Sequence, residues 1–150
     1  MKHSAGMDVC GVDINQNHIH ITMKKLLAFA VTTLFAVSLS AGEYPDISIK
    51  ELKEQIAAKK VTVIDVMSAK SFAKGHVPTA ISYAKSGKSL AKLLPKDKDA
   101  LIVAYCGGPK CKAYKRAADL AAKLGYTNVK HMSAGISGWK SAGEKVEKAN

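Results

Sequence analysis

From about residue 46 the chain alternates short apolar runs with segments whose apolar residues recur at helical spacing. Ser48, followed three positions later by Glu51, forms a capping box that predicts a helix over 49–59. The uninterrupted apolar run over 100–105 is typical of a central parallel strand covered on both faces. Further strands are predicted over 61–65, 80–83 and 128–132, and further helices over 68–74, 89–94, 112–124 and 135–142. This alternation predicts a single α/β domain.

The segment before this domain has the pattern of an export signal. Met23 is followed by two lysines, an uncharged apolar run over 26–39 and small residues that suit cleavage. The apolar run is shorter than the ~20 residues that a membrane-spanning helix needs. We therefore expect 23–41 to be a secretory signal peptide that is removed, rather than a permanent membrane anchor.

Residues 1–22 precede this signal and are mainly polar. An export signal works best at the start of a chain, so we expect translation to begin at Met23 and 1–22 to be an untranslated or disordered leader. Cys10, His18 and His20 then play no part in the mature protein. The alternative is a His-x-His metal site, for which no further ligands lie nearby in the sequence.

Composition and charge narrow the class of protein. Of the 150 residues, 23 are Lys or Arg and 12 are Asp or Glu, which gives a formal net charge of +11. The basic residues are spread out without interleaved aromatic residues, so we expect a solvated surface and no nucleic-acid partner. A local cluster of Lys110, Lys112, Lys115 and Arg116 instead favours a small anionic substrate. Three cysteines are too few for a disulfide-built miniprotein or a structural zinc domain.

Cys106 carries the candidate chemistry, because it ends the predicted central strand, where open α/β sheets bind their ligands. The following helix N-terminus and the loop lysines favour a thiolate, so we expect an exposed Cys106 with a lowered pKa. Gly107 and Gly108 allow backbone conformations that turn N–H groups towards an anion, whereas Pro109 contributes no donor. The alternative is a buried, inert cysteine at the end of a strand.

Five segments of the chain carry recognisable motifs. They are Val63-Ile64-Asp65-Val66, Gly75-His76-Val77-Pro78-Thr79-Ala80, the loop from Cys106 to Cys111, Gly125-Tyr126-Thr127-Asn128-Val129 and Gly135-Ile136-Ser137-Gly138-Trp139. In this order and spacing they resemble the single rhodanese domain, over 46–148. The resemblance implies a central parallel five-stranded sheet flanked by helices on both faces. It also implies that Cys106 accepts sulfane sulfur as a persulfide and passes it to a thiophilic acceptor, with no metal and no organic cofactor.

The same resemblance implies roles for individual residues. Cys106 matches the sulfur-accepting cysteine, and Asp65 and His76 match supporting residues that flank the site. The substrate-binding loop consists of Gly107, Gly108, Pro109, Lys110, Cys111 and Lys112. For Asp65 we favour hydrogen bonding to nearby backbone groups over direct catalysis, and for His76 we favour stabilisation of its turn. Tyr105 and Trp139 are expected in the core or the pocket wall rather than in contact with substrate.

Three positions depart from the pattern of this family. Met67 stands where an arginine is usual and Ser71 where an acid is usual, so an ion pair is lost without leaving either charge unpaired. Cys111 stands where the loop usually has an arginine. The loop is therefore closer to a two-cysteine subtype, Cys-x-Gly-x-x-Cys.

Cys111 introduces a second possible function. It is a candidate resolving cysteine, because its thiolate could attack a persulfide on Cys106 or form a disulfide with it, which would make the site a thiol–disulfide redox centre. A phosphatase is a weaker alternative. The cysteine loops of related phosphatases end in an arginine six residues after the cysteine, and that position holds Lys112 here. Lysine cannot bind a phosphoryl group at two points as a planar guanidinium does. A non-catalytic module that binds an anion or sulfur is the remaining alternative.

The sequence therefore predicts an exported sulfurtransferase, periplasmic or secreted, that acts through Cys106. The expected donor is a small anion such as thiosulfate or polysulfide. The expected acceptor is a thiol or cyanide, or a thioredoxin-like protein. No nucleic acid and no stable membrane anchor after cleavage are expected.

Overall fold

The computed structural model of the chain describes residues 43–149. The predictions for 1–22 and 23–41, which include a start at Met23 and a cleaved signal, lie outside these residues. Within the described range, none of the helices combines the length and the apolar character that crossing a membrane requires.

The described residues form six α-helices and four β-strands. The helices are α1 (Ile49–Ala57), α2 (Ala69–Lys74), α3 (Tyr83–Ser86), α4 (Leu90–Leu93), α5 (Lys115–Lys123) and α6 (Gly135–Ser141). The strands are β1 (Val61–Asp65), β2 (Ile81–Ser82), β3 (Leu101–Tyr105) and β4 (Val129–Met132). The predicted α/β class is confirmed.

Serine side chains set the start of the first two helices. Ser48 accepts a hydrogen bond of 3.1 Å from the Glu51 N–H at the start of α1. Ser68 accepts one of 3.2 Å from the Ser71 N–H at the start of α2. Each cap satisfies a backbone donor that has no partner within the helix and typically contributes about 1 kcal/mol. These boundaries follow from local sequence alone.

All strand pairs are parallel, in the order β2-β1-β3-β4. β3 is paired on both sides, with Val63 of β1 opposite Val103 and His131 of β4 opposite Ala104. Every residue of β3 is buried, as predicted for a strand covered on both faces. Because the strands are parallel, their C-termini lie at one end of the sheet, which we call the carboxyl end. It comprises the residues that directly follow Asp65, Ser82, Tyr105 and Met132.

The resemblance implied five strands, but the sheet has four within residues 43–149. The segment before α1 adds only one parallel bridge to β4, between Asp46 and His131. The Ile47 N–H donates to the His131 carbonyl, and the His131 N–H donates to the Pro45 carbonyl. Pairing does not continue because Pro45 has no N–H and the cap of α1 follows at Ser48. The fifth strand is thus reduced to a single bridge.

The sheet separates two apolar clusters. The cluster on the side of α4 and α5 contains Ile102, Tyr114 and also Cys106. The cluster on the side of α1, α2 and α6 contains Tyr105 and Trp139, which are 0% and 2% exposed. The prediction of helices on both faces is confirmed, and Tyr105 and Trp139 are core residues, as expected.

Two element boundaries differ from the predicted ones and affect the candidate site. α5 begins at Lys115 instead of 112, because the chain first makes turns in which the Lys115 N–H donates to the Lys112 carbonyl. The strand predicted over 80–83 is shortened to Ile81–Ser82, because α3 starts directly at Tyr83. Because α5 starts late, a long loop over 106–114 separates β3 from α5.

Candidate active site

A disulfide joins Cys106 to Cys111 across the loop that follows β3. Their Cα atoms are 6.0 Å apart, a separation that a disulfide spans without backbone movement. Cys106 is 2% exposed. The expectation of an exposed thiolate at Cys106 is therefore wrong for this state, because the sulfur is bonded to Cys111 and does not titrate. The disulfide must be reduced before Cys106 can act as a nucleophile.

The helix N-terminus that was expected beside Cys106 lies farther along the chain. α5 begins at Lys115, so its first turn does not directly follow the cysteine, and the effect of a helix dipole is confined to its end turns. Gly107 and Gly108 have no positive φ angle. The Gly108 carbonyl accepts the Cys111 N–H at 2.9 Å, which closes a turn between the two cysteines. The turn, rather than a left-handed glycine, brings the sulfurs together.

The start of α6 holds the first part of this loop. The Ile136 N–H donates to the Cys106 carbonyl at 2.9 Å, and the Ser137 N–H donates to the Gly107 carbonyl at 3.0 Å. Gly135 permits this approach, since its φ is +60° and a Cβ on it would lie 2.7 Å from the Cys106 carbonyl oxygen. First-turn N–H groups have no acceptor within their own helix, so the loop carbonyls satisfy them. The close approach of Gly135 to the cysteine loop was not predicted from the sequence. The signal for it was the glycine at the start of the last motif.

Asp65 lies at the end of β1, is 1% exposed and accepts hydrogen bonds on both carboxyl oxygens. The Tyr105 hydroxyl donates to Oδ2 at 2.6 Å, and the Met67 N–H donates to Oδ1 at 2.6 Å. The Tyr105 hydroxyl also accepts the Val77 N–H at 3.0 Å. This network joins the carboxyl ends of β1 and β3 to the turn after α2. It places Asp65 in the backbone-bonding position favoured from the sequence.

Protonation of this network follows from its burial. Burial raises the pKa of Asp65, while its hydrogen bonds with Tyr105 and Met67 and the charges of His76 and Lys140 oppose the rise. Burial, reinforced by the Asp65 carboxyl, raises the pKa of Tyr105 far above its usual value. The phenol therefore remains protonated and donates to Asp65. With both oxygens engaged, Asp65 is not placed as a free general base.

His76 lies in the turn after α2 and is buried. Its ring stacks on Phe72 with centroids 3.6 Å apart, and its Nδ1 lies 2.9 Å from the Phe72 carbonyl oxygen. Its backbone pairs with Glu147 in an antiparallel bridge, and its Nε2 lies 3.8 Å from Glu147 Oε2. The structure therefore uses His76 to hold its turn against the C-terminal segment. The connection to the cysteine loop runs through Val77 and Tyr105.

The structure brings the remaining predicted residues together in one loop. Its exposed members are Pro109, Lys110 and Lys112. Residues 107–111 line an open cavity of about 470 Å³. The Met67 side chain lies close to the loop. A Cβ added to Gly107 would lie 3.7 Å from the Met67 sulfur, which is ordinary van der Waals distance. Among residues 43–149, no three His, Cys, Asp or Glu side chains are grouped so that they could hold a metal ion.

Tyr114 anchors the second half of the loop to the core. Tyr114 is 2% exposed, and its ring stacks on His131 of β4 with centroids 3.3 Å apart. Burial lowers the pKa of His131, although Asp46 and Glu43 oppose this change, so the neutral imidazole is favoured. Sequence reasoning missed this contact, because Tyr114 and His131 belong to none of the motifs and meet only across the fold.

A comparison with protein families gives a match to the Rhodanese-like domain over residues 48–142. The match includes the cysteine loop together with Asp65 and His76. It covers more than half of the chain.

Individual proteins are also similar to this chain. An HTH-type transcriptional regulator of Mycobacterium tuberculosis is 35% identical over 99 residues, which are 65% of this chain and 42% of that protein. The chain thus spans less than half the length of that relative. The structure of the BH2092 protein from Bacillus halodurans is 28% identical, with a TM-score of 0.56 and coverage of 70% of this chain and 77% of that one. The human single-domain sulfurtransferase is 23% identical, with a TM-score of 0.52 and coverage of 65% and 96%, a likeness that shows the fold alone.

Proposed function

We propose that this chain, which belongs to the rhodanese-like domain family, transfers sulfane sulfur through a persulfide on Cys106. The observation that carries the proposal is the position of Cys106 directly after the central strand, in a loop that lines an open cavity. Lys110 and Lys112 are exposed beside that cavity and favour an anionic donor. Ligands of open α/β sheets bind at this end of the strands.

The reaction begins with the reduced loop. The Cys106 thiolate attacks the outer sulfur of an anionic donor such as thiosulfate or polysulfide. The S–S bond of the donor breaks, and sulfite or a shortened polysulfide leaves with the electron pair. Loop N–H groups and the two lysines stabilise this leaving anion. A thiol, cyanide or a thioredoxin-like protein then attacks the outer sulfur of the persulfide and releases the Cys106 thiolate.

The disulfide supports a second proposed step, which is the chemistry expected of a two-cysteine subtype of the family. The Cys111 thiolate attacks Cys106 Sγ, the bond from Sγ to the outer sulfur breaks, and hydrosulfide leaves. The product is the disulfide present in the structure. A dithiol reductant of the thioredoxin class then exchanges with this disulfide, becomes oxidised and restores both thiols. The site would then combine sulfur transfer with thiol–disulfide chemistry.

Export fits this chemistry, and we place the mature domain in the periplasm or outside the cell. Disulfides persist in oxidising compartments and are rare in the cytosol. The disulfide between Cys106 and Cys111 is consistent with such a compartment. The predicted signal over 23–41 supplies the route.

Mass spectrometry of the purified protein tests both steps. After reduction and removal of the reductant, incubation with thiosulfate or polysulfide should add one sulfur, about 32 Da, to the peptide that contains Cys106. The Cys111→Ser variant should accumulate this persulfide, whereas the wild type should release hydrosulfide and return to the disulfide. A Cys111→Ser protein that takes sulfur from neither donor would overturn the proposal. Equal persulfide lifetimes in the two proteins would remove the resolving step.

A further inference from the structure

A second cavity lies at the carboxyl end of the sheet, beside the cysteine loop. Its volume is about 490 Å³, which is in the range of ~300–1,000 Å³ typical of small-molecule sites. It is lined by residues 66–68 after β1, by Tyr83, Ala84 and Gly87 after β2, and by Arg116 of α5. The residues that carry the proposed sulfur chemistry follow β3, so this cavity is a separate region.

Arg116 gives this cavity a cationic group with free donors. It is the only arginine among the 23 basic residues of the chain. Its Nη2 lies 3.5 Å from the Val66 carbonyl oxygen, and its guanidinium carbon lies 6.0 Å from the centre of the Tyr83 ring. None of the salt bridges among residues 43–149 involves Arg116. A guanidinium has five N–H donors, so most remain available to an anion.

The rest of the lining indicates an organic anion rather than a small inorganic one. Val66, Met67, Tyr83 and Ala84 contribute apolar surface to the cavity. A planar guanidinium matches a carboxylate at two points, and the apolar lining suits a short carbon chain attached to it. The cavity therefore fits a small carboxylate whose body is apolar.

Met67 connects this cavity to the reactive loop. Its side chain lines the cavity and also lies against Gly107, the residue after Cys106. Its backbone is held in place by the hydrogen bond of 2.6 Å from its N–H to Asp65. A ligand bound by Arg116 that extends along Met67 would therefore reach towards the cysteine loop.

We propose that Arg116 binds the carboxylate of a small organic thiol that accepts sulfur from the Cys106 persulfide. This inference rests on the proposed sulfur transfer. In the step considered, the thiolate of the acceptor attacks the outer sulfur of the persulfide and forms a new S–S bond. The bond between that sulfur and Cys106 Sγ breaks, and Cys106 leaves as the thiolate. The products are the persulfide of the acceptor and the free enzyme, with no net oxidation.

Direct binding tests the site without requiring turnover. The probe is 3-(methylthio)propanoate, whose thioether cannot accept sulfur, and its neutral partner is 3-(methylthio)propan-1-ol. Arg116→Gln should weaken binding of the carboxylate probe at least about 10-fold, the loss expected for one charge-assisted hydrogen-bonding group. Lys123→Gln is the matched control, because Lys123 is an exposed cation of the same helix outside the cavity. Equal weakening in both variants, or none in Arg116→Gln, would overturn the site.

Turnover then tests the role in sulfur transfer. Arg116→Gln and Lys123→Gln are made in the Cys111→Ser background, which should keep its persulfide. Each protein is persulfidated with polysulfide and mixed with 3-mercaptopropanoate or with the neutral 3-mercaptopropan-1-ol. The ratio of the two desulfuration rates should fall at least about 10-fold in Arg116→Gln and stay constant in Lys123→Gln. An unchanged ratio in Arg116→Gln would refute the acceptor role. Failure of Cys111→Ser to form any persulfide would instead refute the proposed function, while the binding result would still decide whether Arg116 holds a carboxylate.

Discussion

The carboxyl end of the sheet contains two neighbouring regions of opposite character. In the region after β3, a disulfide joins the loop to itself, α6 donates hydrogen bonds to its carbonyls, and Tyr114 anchors its far side. In the region after β1 and β2, an open cavity of about 490 Å³ is lined by an exposed arginine. We call these the closed region, 106–114, because the disulfide closes its loop into a ring, and the open region, the cavity of Arg116.

The contrast indicates that the two regions have different roles, one in sulfur chemistry and the other in the choice of acceptor. Sulfur chemistry needs a cysteine whose backbone is held in one geometry, and the contacts of the closed region supply this restraint. Choice of the acceptor thiol needs accessible space and a charged group, and the open region supplies both. Substitutions in the closed region should therefore affect chemistry and stability, whereas those in the open region should affect selectivity alone.

The largest expected effect is that of Cys106→Ser, which should abolish sulfur uptake. The matched control is Cys111→Ser, since each variant lacks the disulfide but only one lacks the proposed nucleophile. The peptide that contains position 106 should gain about 32 Da in Cys111→Ser and gain nothing in Cys106→Ser. Mass spectrometry after incubation with polysulfide measures the difference. Sulfur bound covalently in Cys106→Ser would show that the chemistry does not belong to the closed region.

Gly135→Ala should destabilise the fold more than Gly143→Ala. Both glycines have positive φ angles, +60° and +75°, so each alanine incurs backbone strain of about 1 kcal/mol. At Gly135 the new Cβ would also lie 2.7 Å from the Cys106 carbonyl oxygen, whereas at Gly143 nothing lies within 4 Å. The total loss should be about 3 kcal/mol at Gly135 and about 1 kcal/mol at Gly143.

Urea unfolding of these two glycine variants measures both losses, and sulfur uptake should fall only in Gly135→Ala. Equal losses of stability in the two variants would contradict a close contact between α6 and the cysteine loop.

Tyr105→Phe should destabilise the protein by about 2 kcal/mol near neutral pH, because the buried Asp65 carboxyl loses one of its partners. Burial raises the pKa of folded Asp65, so stability is greatest below its ordinary pKa of 3.8 and falls as pH rises towards the folded value. Loss of the Tyr105 hydrogen bond raises that pKa further. The destabilisation should therefore be smaller at pH 4 than at pH 7.

Urea unfolding of Tyr105→Phe and of the wild type at the two pH values tests this dependence. Asp65→Asn is the control background, in which the same tyrosine substitution should have a cost that is independent of pH over this range. A pH-independent cost in the background that retains Asp65 would show that the carboxyl does not respond to this hydroxyl.

The smallest expected effect on stability is that of Arg116→Gln. The side chain is exposed and makes one long hydrogen bond of 3.5 Å to a carbonyl, so unfolding free energy should change by less than about 0.5 kcal/mol. Urea unfolding checks this value alongside the binding measurements. A loss above 1 kcal/mol would mean that the open region also supports the fold, and the separation of the two regions would fail.

Local pattern was sufficient to predict many elements of the fold. The Ser48 cap placed α1, and the apolar run to Tyr105 identified the buried central strand. Pattern was less reliable near the site. The apolar stripe after the cysteine loop predicts a helix from 112, but α5 begins at Lys115, because turns with a hydrogen bond from the Lys115 N–H to the Lys112 carbonyl come first. In this segment Tyr114 stacks on His131 of β4, a contact that local pattern does not predict.

The sequence by itself determined the order of strands and helices, the buried central strand and the placement of two cysteines in the loop that follows it. These features depend on residues within a few positions of each other, whose spacing sets helical or extended conformation. Only the tertiary structure decided that Gly135 lies against Cys106 and that Arg116 enters a cavity beside Met67. Such contacts join segments far apart in the chain, and packing of helices on the sheet determines them rather than local preference.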